Sequence, residues 1–180
     1  ARNYSGGIFA EHVFTRMKEK DMLRFEGPLG SFFLRDAAED VSTIFVASGT
    51  GFAPIKSILE NAFYLENNQG NKRNMILYWG VRTKADLYLA DLAYKWQQQH
   101  DNFTFIPVLS DALHTDNWQG REGLVHQAVL EDFDDLSKCQ VYACGLPVMV
   151  KAAYDDFINQ RNLPKDGFFS DVFTPSTTKP

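Results

Sequence analysis

What most constrains this chain is a rhythm that starts at Val41 and runs almost to its end, in which short apolar runs alternate with helix-like segments. The runs are TIFVAS, NMILYWGV, FTFIPVLS, QVYACG and FFSDVF, and the helix-like stretches between them cover residues 53–66, 86–99, 123–131 and 147–160. The runs lack the strict in–out alternation of strands with one wet face, so they read as strands buried on both faces. Five such strands interleaved with four helices predict an α/β fold: a five-stranded parallel, doubly wound sheet with right-handed crossovers. Sheets of this kind bind ligands outside the carboxyl ends of their strands, so chemistry is expected there.

The residues ahead of this rhythm read differently. Residues 11–18 suggest a helix-like turn. Two short strands are expected at 22–26 and 31–35, joined by the turn Gly27-Pro28-Leu29-Gly30, and the polar run 36–40 reads as a linker. The expected division is therefore 1–36, 41–174 and a tail at 175–180. With 44% hydrophobic residues in 180, a packed core is well supplied. The formal charge of −5 is spread over mixed signs without a basic stripe, which argues against a nucleic-acid partner. No apolar run approaches the roughly 20 residues of a membrane helix, so no membrane insertion is expected. The opening ARNYSGGIF lacks the basic-then-apolar layout of a secretory signal. Cys139 and Cys144 are too few for a four-cysteine zinc or iron–sulfur site, so no metal is expected, and they suit a reduced cytoplasmic compartment.

Several strand ends carry unusual loops. The first is followed by Gly49-Thr50-Gly51-Phe52-Ala53-Pro54. Glycines let the backbone turn sharply and approach a ligand, and proline suits a helix's first turn. The helix N-terminus behind such a loop suits a pyrophosphate. The loop is neither G-x-G-x-x-G nor a phosphate-binding Walker loop, since Pro54 stands at the third glycine's position and no lysine follows. Alone, it could equally be structural punctuation. The second strand ends at Trp79-Gly80-Val81-Arg82, where Gly80 permits close backbone approach and Arg82 could pair with a phosphate or stack on a base. The bland alternative is a core tryptophan with a solvated arginine. The third strand ends at Ser110-Asp111, and a second glycine turn, Cys144-Gly145-Leu146-Pro147, enters the last helix.

Taken in order, GPLGSFF, GTGFAP, LYWGVR with DLY, VLSD, WQGREGLV, VYACGLPVM and FFSDVF make the chain resemble the C-terminal part of the ferredoxin–NADP reductase superfamily. The resemblance is to its bacterial flavin and oxygenase reductase branch, most similar to the CDP-6-deoxy-glucoseen reductases. It implies that Gly49, Thr50, Gly51 and Pro54 receive the pyrophosphate of a pyridine nucleotide and that Gly80 and Arg82 adjoin it. Ser110 and Asp111 would lie near the adenosine ribose, and Gly145 and Pro147 would shape the nicotinamide pocket. Cys144, with its side chain toward that pocket, and Phe173, beside the flavin ring, are the residues expected at the reacting centre. A carboxylate near the ribose accepts from a 2′-hydroxyl and repels a 2′-phosphate, so NADH is expected over NADPH unless Arg82 or Arg121 compensates.

The same resemblance implies FAD and part of an antiparallel flavin-binding β-barrel in residues 1–36. Arg2, Tyr4 and Ser5 fit a motif that grips the flavin, and Gly7, Phe9 and Ala10 a glycine-bearing turn for its pyrophosphate. The strands that normally separate these motifs are missing, which points to a longer native chain. Any iron–sulfur cluster would belong to a part not represented in these residues. The implied activity is hydride transfer from NADH to FAD, with electrons passed onward to a protein or small-molecule acceptor. Two alternatives stand beside it: a non-catalytic nucleotide-binding or electron-transfer module docking on a flavoprotein, and an ordinary dinucleotide dehydrogenase. The preserved SDVF end argues against the first, and the missing G-x-G-x-x-G fingerprint against the second. His12, His100, His114 and His126 read as surface or core residues, and Phe63, Tyr64, Tyr88, Tyr94 and Trp96 as helix–sheet packing.

Overall fold

The computed structural model describes residues 8–27, 29–38, 40–70 and 72–173. Arg2, Tyr4, Ser5, Gly7, Pro28 and the tail 175–180, all named above, lie outside the described residues. The chain divides into two units, residues 1–31 and 32–180.

In the first unit, one α-helical turn, α1 (Ile8–Glu11), runs into a π-helical turn at His12–Arg16. This replaces the expected turn at 11–18. Arg16 reaches back to Glu11 at 3.0 Å, and Met17 N–H donates to His12 O at 2.8 Å. The strand expected at 22–26 does not form, and the described residues of 8–38 contain no barrel strand. A strand needs a neighbour to take its N–H and C=O groups.

The second unit begins with a strap in place of the strand expected at 31–35. Phe32 and Leu34 pack on the core. The Arg35 N–H donates to Tyr142 Oη at 2.7 Å, and Arg73 Nη1 donates to Arg35 O at 3.1 Å. Tertiary contacts to side chains therefore take the bonds that a sheet partner would have taken.

The sheet itself has six strands, all parallel: β1 (Ser42–Ser48), β2 (Met75–Val81), β3 (Phe103–Leu109), β4 (Arg121–Glu122), β5 (Cys139–Gly145) and β6 (Phe168–Val172). Their spatial order is β4-β3-β2-β1-β5-β6. The five expected strands are present, and the two-residue β4 adds a sixth at the edge beside Val108 and Leu109. The helices are α2 (Phe52–Gln69), α3 (Ala90–Gln99), α4 (Val125–Asp132) and α5 (Pro147–Arg161). Gly70, in the left-handed region at φ 73°, ends α2 by donating to Glu66 O at 3.0 Å.

Both faces of the sheet are covered, as continuous apolar strands require. On one face Phe45, Ala47, Leu77, Trp79 and Tyr142 pack with Phe52, Ile55 and Leu59 of α2 and Trp96 of α3. On the other, Ile44, Val46, Tyr78 and Val141 pack with Val129 of α4 and Phe157 of α5. Successive residues of β1 thus serve opposite layers. Burying each such side chain fully stabilises the fold by about 1.5–3 kcal/mol before chain entropy is counted.

Candidate functional site

Strand order fixes where the site can be. Chain connections run outward from β1 in one direction to β2 and β3, and in the other to β5 and β6. The reversal falls between β1 and β5, and a doubly wound sheet opens a crevice at the carboxyl ends of such a pair. The two glycine turns leave the sheet there, side by side.

After β1, Gly49–Gly51 forms one 3-10 turn leading into α2. Gly49 adopts φ 53°, a backbone conformation that costs glycine nothing, and a Cβ there would meet only open space. Gly51 is needed for a different reason. A Cβ on it would stand 2.1 Å from Cys144 O, so only glycine lets this turn sit against the end of β5. The 18-residue helix α2 points its N-terminus, with Pro54 in the first turn, at the crevice. Trp79 of β2 braces the turn by donating its Nε1–H to Gly49 O at 2.9 Å. Phe52 stacks on the Trp79 ring at 4.0 Å, and Tyr88 meets that ring edge-on at 5.1 Å.

The second turn is locked to the first. Gly145 adopts φ 138°, and a Cβ on it would lie 2.1 Å from Ser48 Oγ. Ser48 Oγ accepts the Leu146 N–H at 2.9 Å. Pro147 opens α5, where a missing N–H leaves no helical bond unmade. Phe173 follows β6, and its N–H donates to Gly145 O at 2.9 Å. Phe173 is 37% exposed, and Leu146 and Val148 are also exposed, so the turn presents an apolar rim.

Cys144 is placed otherwise than expected. It shares a strand face with Tyr142 and is completely buried in the core with Phe45 and Phe52. Burial, with the Asp171 carboxylate opposite, pushes its thiol up to about 12. Strand alternation turns its side chain to the sheet face covered by α2, so the crevice meets its backbone rather than its sulfur. The group is a thiol at neutral pH, not a nucleophile.

Gly80 also has another explanation. A Cβ there would stand 2.6 Å from Val125 Cβ, so this glycine admits the start of α4. Beyond it, Ser110 N–H donates to Val81 O and Asp111 N–H to Arg82 O, both at 2.9 Å. Arg82 Nη2 and Asp111 Oδ2 pair at 3.0 Å. The structure thus brings Arg82, Ser110 and Asp111 together at the ends of β2 and β3. Arg121 is committed elsewhere: it pairs with Glu131 at 2.8 Å and with Asp132, whose carboxylate also accepts from Tyr78 Oη at 2.7 Å. Phe9 and Ala10 lie in α1 of the first unit.

Two expected motifs prove structural. In DLY, Asp86 closes the turn after β2 by accepting from Thr83 N and Oγ1, both at 3.0 Å. In WQGREGLV, Trp118 Nε1 donates to Arg121 O at 2.9 Å, and a Cβ on Gly120 would strike the Trp118 ring at 2.5 Å. Sequence reasoning missed Ser48 and the bracing role of Trp79. The signal available for both was their position one residue before a glycine at a strand end. Among the described residues no helix is long and apolar enough to cross a membrane, and no three His, Cys, Asp or Glu are grouped to hold a metal ion.

Residues 45–155 match the family described as oxidoreductase NAD-binding domain. The chain is 43% identical over 178 residues to protein RfbI of Salmonella typhimurium, covering 97% of this chain and 50% of that protein. It is 42% identical over 175 residues to the CDP-6-deoxy-L-threo-D-glycero-4-hexulose-3-dehydrase reductase of Yersinia pestis, again covering 97% and 50%. It thus spans about half the length of these relatives. Among solved structures, the Amycolatopsis cytochrome P450 reductase GcoB superposes with a TM-score of 0.85 at 29% identity, over 98% of this chain and 52% of that one.

Proposed function

This chain belongs to the oxidoreductase NAD-binding domain family, and from that premise we propose that it is the pyridine-nucleotide half of a flavin-dependent NADH reductase delivering electrons to an acceptor protein. The observation that carries the reading is the junction of the two glycine turns at the β1/β5 reversal. Gly51 is jammed against Cys144 O, and Ser48 ties in Leu146 at 2.9 Å. The junction fits a dinucleotide because it offers bare backbone on one side and an apolar rim on the other. A pyrophosphate suits the Gly49–Gly51 turn and the positive end of α2.

Gly49, Thr50, Gly51 and Pro54 would hold the pyrophosphate. Ser110 and Asp111 would take the adenosine ribose, with Asp111 accepting from its 2′-hydroxyl and favouring NADH. Gly145, Leu146 and Pro147 would form the floor beneath the nicotinamide, with Cys144 as the buried support under it. When bound, the nicotinamide and the flavin supply the hydride and electron chemistry themselves. The protein's part is to fix ring positions and exclude water. Phe173 suits that part, since its backbone is tied to Gly145 and its ring is partly exposed.

The flavin grip is not complete in the described residues. Arg2, Tyr4, Ser5 and Gly7 would contribute to it. Support for a missing complement comes from Ile8, Met22 and Phe25, which are 89%, 98% and 91% exposed. The CDP-sugar dehydrase reductase among the relatives makes a sugar dehydrase an apt electron acceptor. Buried, unpaired Cys139 and Cys144 suit a cytoplasmic setting.

The test is an absorption spectrum of the intact protein with FAD, followed by anaerobic titration with NADH. Bleaching of the flavin band by one equivalent of NADH is the expected result. No flavin band retained once unbound FAD is removed, or a retained band indifferent to NADH, would overturn the reading.

A further inference from the structure

We propose that Arg82 is a 2′-phosphate receptor masked by Asp111, so that the ion pair between them, rather than the carboxylate alone, sets the nucleotide preference. The inference rests on the dinucleotide reading of this site and deepens it. Its geometric basis is the backbone. Val81 and Leu109 are register partners at the ends of β2 and β3, and the next residues stay linked by Ser110 N–H to Val81 O and Asp111 N–H to Arg82 O. Arg82 and Asp111 therefore leave the sheet as neighbours, and their side chains meet at 3.0 Å.

Both side chains are well exposed, at 74% and 55%. A pair so open to water contributes little to stability. Its consequence is for what binds there. The carboxylate has two oxygens and about four lone-pair positions, so it can keep Arg82 and still accept a ribose hydroxyl. A 2′-phosphate brought to Arg82 meets a guanidinium whose charge is already offset by the carboxylate 3.0 Å away, and it is repelled by that carboxylate as well. Without the carboxylate, the planar fork of Arg82 is free to take a phosphate in bidentate fashion. The neighbouring cations are engaged differently: Arg121 holds Glu131 and Asp132, and Lys84 Nζ donates to Asp116 O at 3.3 Å.

Simple repulsion by Asp111 and a masked receptor make different predictions. If Asp111 only repels, removing its charge helps a 2′-phosphate whether or not Arg82 is present. If Arg82 is the receptor, the gain requires it.

Calorimetric titration of the intact protein with adenosine 5′-monophosphate and adenosine 2′,5′-bisphosphate separates the two, since these probes differ only in the 2′-phosphate. The unaltered protein is expected to bind the monophosphate more tightly. Asp111→Asn should tighten bisphosphate binding by about tenfold or more, and the gain should shrink as salt rises. Adding Arg82→Gln should cancel the gain, whereas adding Arg82→Lys should keep part of it as a point charge. Persistence of the gain in Asp111→Asn/Arg82→Gln overturns the proposal. So does an Asp111→Asn protein that keeps the unaltered protein's urea midpoint, and so is folded, but shows no bisphosphate gain. Failure of the unaltered protein to bind the monophosphate at all would sink the ribose-site reading first, and this inference with it.

Discussion

Residues 8–31 and residues 32–173 use the same kinds of apolar side chain to opposite ends. In the sheet unit, Phe45, Trp79 and Phe157 are completely buried between a strand layer and a helix layer. In the first unit, Ile8, Met22 and Phe25 are about as exposed as a side chain can be. The difference is not composition but the presence of a second layer. A strand or helix buries its apolar face only against another element, and the described residues of 8–31 offer one short helical segment and no sheet. The comparison teaches that residues 32–173 supply their own core, whereas the large apolar side chains Ile8, Met22 and Phe25 stay exposed.

The comparison breaks most visibly at Trp79. Trp79→Ala removes a completely buried ring stacked on Phe52 and leaves Gly49 O without its donor. A loss of about 3–5 kcal/mol is expected in urea unfolding, together with weakened NADH binding through the released turn. A loss under about 1 kcal/mol would mean that the sheet unit is not the packed body described.

A smaller effect should come from His126, a titratable group that exists in the buried state only because α4 and α5 cover it. Its Nε2 lies 3.4 Å from Asp156 Oδ2 on α5, and its Nδ1 is buried without a hydrogen-bond partner. Burial lowers its pKa below the ordinary value of 6.5, and the Asp156 carboxylate only partly opposes this. The neutral form is therefore favoured in the folded state. Its stabilising contribution is full above pH 6.5 and is lost as pH falls through the lower folded value. Urea midpoints measured from pH 7.5 down to about 5 should decline, and His126→Gln should flatten that decline. An unchanged pH profile in His126→Gln would remove histidine burial as the cause.

The smallest effect is expected in the leading segment. Met22→Ser, at a 98% exposed position, should change the stability of this chain by no more than about 0.5 kcal/mol. In a longer protein with a complete flavin barrel, the same change should cost more than 1 kcal/mol if Met22 is then buried. Equal, near-zero effects in both would dissociate Met22 from any barrel core.

Much of the fold was legible because the sheet unit is locally consistent. β2 and β3 lie within the runs NMILYWGV and FTFIPVLS, β1 and β5 begin one residue before TIFVAS and QVYACG, and each following helix begins within a few residues of its expected start. The strands expected at 22–26 and 31–35 failed for a physical reason. Apolar alternation describes a strand's faces but says nothing of whether an edge exists to receive it. Side-chain direction was equally hidden at Cys144, whose placement depends on which strand face carries Tyr142. Gly80 was read as room for a ligand and proves to be room for Val125.

By itself, the sequence determined the class of fold and the position of the turns, because run length, apolar continuity and glycine placement are properties of short segments. Tertiary structure alone decided which turns meet. Ser48 and Leu146 are 98 residues apart, and Arg82 and Asp111 are 29 apart. Nothing local pairs them. They are neighbours because β1 lies beside β5 and β2 beside β3, an order chosen by burying both faces of the sheet under four helices at once.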